Sequence, residues 1–100
     1  MNPTPVDEVI AILQEVKRIL ELPGTDVGWS RYNSVDEAIE AINQHIESLG
    51  RGDLSQLEDL TTLFAPTGSM QDISISNGWG EGFLHLAARF DRAVVRLRPL

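Results

Sequence analysis

Residues 4–22 read TPVDEVIAILQEVKRILEL, and this stretch decides the fold class. Val6, Val9, Ile10, Leu13, Val16 and Leu20 recur at three- and four-residue spacing, the period of one helix face. Ile12 and Ile19 widen that stripe to about half the circumference, at roughly 100° per residue. So wide a face implies contact with more than one neighbour. Thr4 predicts an N-cap with Pro5 at the first helical position, and Asp7 and Glu8 suit the positive end of the helix dipole. Pro23-Gly24 stops the helix.

Three further helical segments follow. Ser34 and Glu37 have capping-box spacing, and Val35, Ala38, Ile39, Ile42, Ile46 and Leu49 form the apolar stripe of the second segment. Gly50-Arg51-Gly52 ends it. Asp53 predicts the N-cap of a short third segment with Leu54, Leu57, Leu60 and Phe64 on its buried face, terminated by Pro66 and Gly68. The fourth runs from about Trp79 to Leu97 with Asn77 as its cap, and Trp79, Phe83, Leu86, Phe90, Val94 and Leu97 as its core stripe. Residues 25–33 (TDVGWSRYN) are a connector whose Trp29 and Tyr32 are expected to pack back over the helices. Residues 65–82 (APTGSMQDISISNGWGEG) read as a long irregular loop, with Ile73 and Ile75 alternating with serines in a short extended piece. The expected architecture is a single all-α domain over 1–100, an antiparallel four-helix bundle with a long irregular loop before the last helix.

Composition narrows the function classes. The chain has 100 residues, 42% of them hydrophobic, and no cysteine, which excludes disulfide scaffolds, thiolate zinc sites and cysteine nucleophiles. No apolar run approaches the roughly 18 residues of a membrane span. No basic region precedes Asp7 and Glu8, so a secretory signal is not expected, and the location expected is cytoplasmic. Net charge is −7, of which residues 1–50 carry −6. An acidic body repels phosphate backbones and attracts basic proteins, so a protein partner is expected rather than nucleic acid.

No Lys or Arg lies between residues 32 and 50, so the outer face of the second segment is uncompensated negative charge. Asp36, Glu40 and Glu47 there, with Glu58 and Asp59 in the third segment, are the candidate contacts for a basic partner. Tyr32 or Trp79 would serve as an aromatic anchor if exposed. His85, Arg89, Arg92 and Arg96 make a basic stripe along the last helix, whose simplest reading is pairing with acidic faces of other helices.

No catalytic constellation emerges, and no enzyme activity, cofactor or metal site is expected. His45 lies at the border of an apolar stripe, and Glu81 with His85 supplies only two of the ligands a metal needs. Gly78, Gly80 and Gly82 lack the spacing of a dinucleotide fingerprint and serve to turn the chain. Two alternatives to a protein-binding role stand. One is a homo-oligomer, such as a homodimer, using the wide face of the first helix. The other is a ligand carrier using loop 65–82 with Asp72, Glu81 and His85.

Residues 60–91, with LTTLFAPTG, then QDISISNGW, then FLHLAARFD, resemble a pattern found in small uncharacterised bacterial domains, some regarded as immunity-type companions of secreted toxins. The resemblance covers about a third of the chain. It implies a bacterial protein and a binding role, and it assigns no functional residue.

Overall fold

The computed structural model describes residues 4–28, 30–65 and 68–97, which contain five α-helices and no strand. They are α1 (Pro5–Leu20), α2 (Val35–Gly50), α3 (Leu57–Leu63), α4 (Ser69–Ser76) and α5 (Gly80–Leu97). Trp29 and Pro66 lie outside the described residues.

Helix α1 is the element that α2 and α5 share. Val9, Ile12, Leu13, Val16 and Leu20 are fully buried, and α1 packs against both α2 and α5. The half-cylinder of apolar side chains is thus divided between two neighbours, as its width requires. Its start carries a complete capping box. Thr4 Oγ1 accepts from the Asp7 amide at 3.1 Å, and Asp7 accepts from the Thr4 amide at 3.2 Å. Arg89 of α5 adds an ionic tie to α1, reaching Glu8 at 3.0 Å and Glu15 at 2.7 Å. Half-exposed pairs of this kind contribute about 0.2–1 kcal/mol each, so they orient α5 while apolar burial holds it.

Helix α2 is capped by Ser34, which accepts from the Glu37 amide at 3.1 Å. The reciprocal bond of the expected capping box is replaced: the Glu37 carboxylate accepts from Asn33 Nδ2 at 3.4 Å. Glycine 52, at φ +77°, makes the left-handed turn out of the helix.

Helix α3 starts three residues later than expected, with Gln56 instead of Asp53 at the N-cap position. The Asp53 carboxylate accepts from the Ser55 amide at 2.9 Å, so it closes a local turn instead of capping a helix. Leu54, expected on the buried face, is 38% exposed as a result. Leu60, Leu63 and Phe64 are buried, and the Phe64 ring stacks on Phe90 at 4.5 Å and on Phe83 at 5.9 Å.

The segment expected as an irregular loop contains α4, so the four expected helices are five. The Ile-Ser alternation suggested an extended piece, but Met70, Ile73 and Ser74 are the buried positions, at helical spacing, while Ile75 is exposed. Buried Ser74 is satisfied by donating to the Gln71 carbonyl at 2.8 Å. Asn77 ends α4 instead of starting α5. The Gly78 amide donates to the Ile75 carbonyl and the Trp79 amide to the Ser74 carbonyl, the two bonds of a Schellman motif, with Gly78 at φ +83°. Helix α5 follows at once and buries Phe83, Leu86, Phe90, Ala93 and Val94, with α4 packed on it.

Gly68 sets how closely α4 approaches α3. A Cβ at this position would collide with the backbone carbonyl oxygens of Thr62 and Leu63. Gly68→Ala is therefore expected to cost about 2 kcal/mol by overpacking against rigid backbone. Leu13→Ala should cost about 3 kcal/mol, whereas Leu84→Ala, at an exposed position, should stay within about 0.5 kcal/mol. Urea unfolding of the three variants checks this order.

Candidate functional site

The corner where the connector meets α2 and α3 gathers three interacting side chains, Arg31, His45 and Asp59. Asp59 on α3 is its centre. The Arg31 guanidinium donates to it through two nitrogens, Nη1 to Oδ1 at 3.3 Å and Nη2 to Oδ2 at 3.1 Å. His45 Nε2 on α2 stands 3.1 Å from the same Oδ2. An ionised carboxylate only accepts, so Nε2 carries the imidazole proton. Nδ1 is buried and without a partner among the described residues. The Arg31 fork holds the Asp59 carboxyl below the usual carboxylate range, and Asp59 in turn raises the Arg31 guanidinium.

Two long-range ties fix the connector that delivers Arg31 and Tyr32. The Asn77 side chain accepts from the Asp26 amide at 2.8 Å and donates to the Asp26 carbonyl at 2.7 Å. The Arg31 amide donates to Ser69 Oγ at 3.2 Å. Helix α4 therefore anchors both ends of the connector's polar stretch.

Tyr32 is 7% exposed, with the Arg31 guanidinium 5.4 Å over its ring. Burial pushes the phenol up, so its hydroxyl keeps the proton. That hydroxyl is buried, and the neighbouring Arg31 guanidinium opposes the rise in part. Tyr32 also walls a recess of about 310 Å³, completed by Glu37, Glu40, Ala41 and Gln44 of α2. Those four α2 positions lie on one face because they fall at i, i+3, i+4 and i+7.

The structure sorts the expected contact residues into three groups. Asp36, Glu40 and Glu47 on α2 and Glu58 on α3 are exposed, and none makes an ion pair among the described residues. Asp59 is exposed but already engaged by Arg31 and His45. Tyr32 and Trp79 are not exposed anchors. Tyr32 is packed under the connector, and Trp79 is half-buried, edge-on to Phe83 at 6.3 Å, beside Ile19 and Leu22. Arg31, Glu37, Gln44 and the pairing of His45 were not anticipated. Glu37 and Gln44 share a helix face with Glu40, and that periodicity was the available signal. The Arg31–Asp59 contact joins residues 28 apart and leaves no local trace.

Asp72, Glu81 and His85 are each exposed, and no side chain of the three forms a hydrogen bond or ion pair among the described residues. The same residues contain no group of three metal-ligating side chains and no helix long and apolar enough to cross a membrane. No family model matches the chain, and neither a curated protein nor a solved structure matches it.

Asp59→Asn keeps the size of the side chain but removes the charge that engages Arg31 and His45. It should cost about 1 kcal/mol, the scale of a charged hydrogen bond at a half-exposed site. Because the folded-state pKa of Asp59 is depressed, its contribution is fully present above the unfolded-state value, about 3.9, and fades as pH falls through the folded one. The stability gap between wild type and Asp59→Asn, measured by denaturant titration from pH 7 to pH 3, should therefore shrink towards acid.

Proposed function

We propose that the chain is a protein-binding module that docks a basic partner on the acidic face of α2, as an inhibitor or immunity-type protein occludes a basic toxin or enzyme. One observation carries this reading. Asp36, Glu40 and Glu47 project from a helix with no Lys or Arg, and of the two arginines that flank it Arg31 is committed to Asp59 while Arg51 interacts with Asp53. The negative potential of this face is left uncancelled. Glu58 on α3 extends the charge.

A surface of this kind accelerates encounter with a positively charged partner and fixes register, with rates that fall as salt screens the charges. Occlusion follows if the partner's substrate-binding Lys or Arg side chains are those that meet the carboxylates. The wide face of α1, the motive for a homo-oligomer, is covered by α2 and α5. A docked partner is thus favoured over self-assembly through that face.

Replacing Asp36, Glu40 and Glu47 together with Lys reverses the charge of the face without touching the core. Capture from a bacterial lysate at low salt, followed by a salt gradient, should yield a basic protein bound by wild type. The triple variant should associate with it at least tenfold more slowly. Equal capture by both proteins contradicts the reading.

A further inference from the structure

The exposed side of α5 carries apolar side chains that the fold leaves uncovered. Leu84 and Val95 on α5 and Ile75 at the end of α4 are each more than half exposed. Ile75 lies over the first turn of α5, since a Cβ added at Gly80 would stand 3.4 Å from its side chain. Beside Leu84 opens a cleft of about 220 Å³, walled by Leu84, Ala87, Ala88 and Asp91 and lined also by the buried Phe64 and Phe83. The four α5 positions fall at i, i+3, i+4 and i+7, the hole into which a side chain of a facing helix inserts. Charge balances on the same side. Arg89 is committed to Glu8 and Glu15, which leaves Arg92 and Arg96 beside Glu81 and Asp91 on a chain whose net charge is −7. Neither Glu81 nor Arg92 makes an ion pair among the described residues.

We propose that this face pairs with the same face of a second copy of the chain, α5 against α5, antiparallel about a two-fold axis. Such an axis sets a patch against itself, so the patch must be self-complementary. Seating Leu84 of each copy in the cleft of the other, against Ala88, meets that condition. Glu81 of one copy then stands opposite Arg92 of the second, because the two pairings differ in register by one residue, about 1.5 Å of rise. Glu81 and Arg92 share a flank of the helix, about 20° apart at roughly 100° per residue. The two-fold axis brings like flanks together, so the Glu81–Arg92 contact forms twice. In the same register Val95 meets Ile75 of the second copy. A purely basic helix would be repelled by Arg92 and a purely acidic one by Glu81, so the face selects a partner carrying both signs in reversed order, which this chain supplies. The exposed face of α5 is opposite the side that rests on α1, so pairing here leaves the α2 carboxylates of both copies open.

Sedimentation velocity of the whole chain over a hundredfold concentration range tests the pairing, at about 0.15 M salt, where repulsion beyond roughly 8 Å is screened. A monomer–dimer equilibrium is expected. Leu84→Glu should weaken it at least tenfold and leave the melting midpoint unchanged, because the position is exposed in the single chain. Glu81→Arg and Arg92→Glu should each weaken it at least threefold, by setting like charges face to face. The double variant Glu81→Arg/Arg92→Glu swaps the two signs and should return to within twofold of wild type. The α2 variant with Lys at 36, 40 and 47 should dimerise at least as well as wild type. A monomer at every concentration, an unaffected Leu84→Glu variant, or a double variant no better than the weaker single overturns the pairing. So does loss of the dimer in the α2 variant, which would place α2 of one copy on α5 of the next. None of these results bears on capture of a basic partner by α2, so the two readings stand or fall separately.

Discussion

Burial of one half of α1 is the constraint on which the rest of the structure depends. Val9, Ile12, Leu13, Val16 and Leu20 are wholly removed from water, and both α2 and α5 rest on that surface. A fully buried aliphatic side chain contributes about 1.5–3 kcal/mol, so five of them outweigh the ion pairs among the described residues. Polar contacts therefore position elements that α1 has already gathered. Arg89 between Glu8 and Glu15 sets the rotation of α5, and the Phe64–Phe90 stack brings α3 onto the same core.

The same hierarchy explains how a surface site arises from a helical core. With α2 held by its apolar stripe, its opposite face is free to carry charge. The connector before it cannot fold by burial alone, because it is short and polar. It is held instead by specific bonds from a distant helix: Asn77 on Asp26, and Ser69 on the Arg31 amide. Those bonds set Tyr32 under the connector and against α2, where Asp59 neutralises Arg31 beside it. Helix α4 thus contributes to the site without lining it.

Much of this was legible in the residues, for identifiable reasons. The α1 and α5 stripes are long and strongly periodic, and Thr4 and Ser34 cap their helices as expected. What failed was short or non-local. Asn77-Gly78 is equally good punctuation for a helix start or a helix stop, and only the Schellman bonds decide that it closes α4. Eight residues containing Ile-Ser-Ile-Ser satisfy both periods, and burial of Met70, Ile73 and Ser74 resolves them towards helix. Asp53 found a closer amide at Ser55 than a helix start could offer. The acidic face of α2 was visible as a missing set of cations. The recess was not, because Tyr32 reaches Glu37, Glu40 and Gln44 only through tertiary packing.

The central claim is that the chain works through the carboxylate face of α2. Zero-length carbodiimide cross-linking to the captured partner tests it most directly, because it joins only carboxylates and lysines already in contact. Cross-links from Asp36, Glu40, Glu47 or Glu58 to partner lysines are the result expected. Cross-links confined to Glu81 or Asp91 on α5, with the α2 carboxylates unmodified by partner, would contradict it.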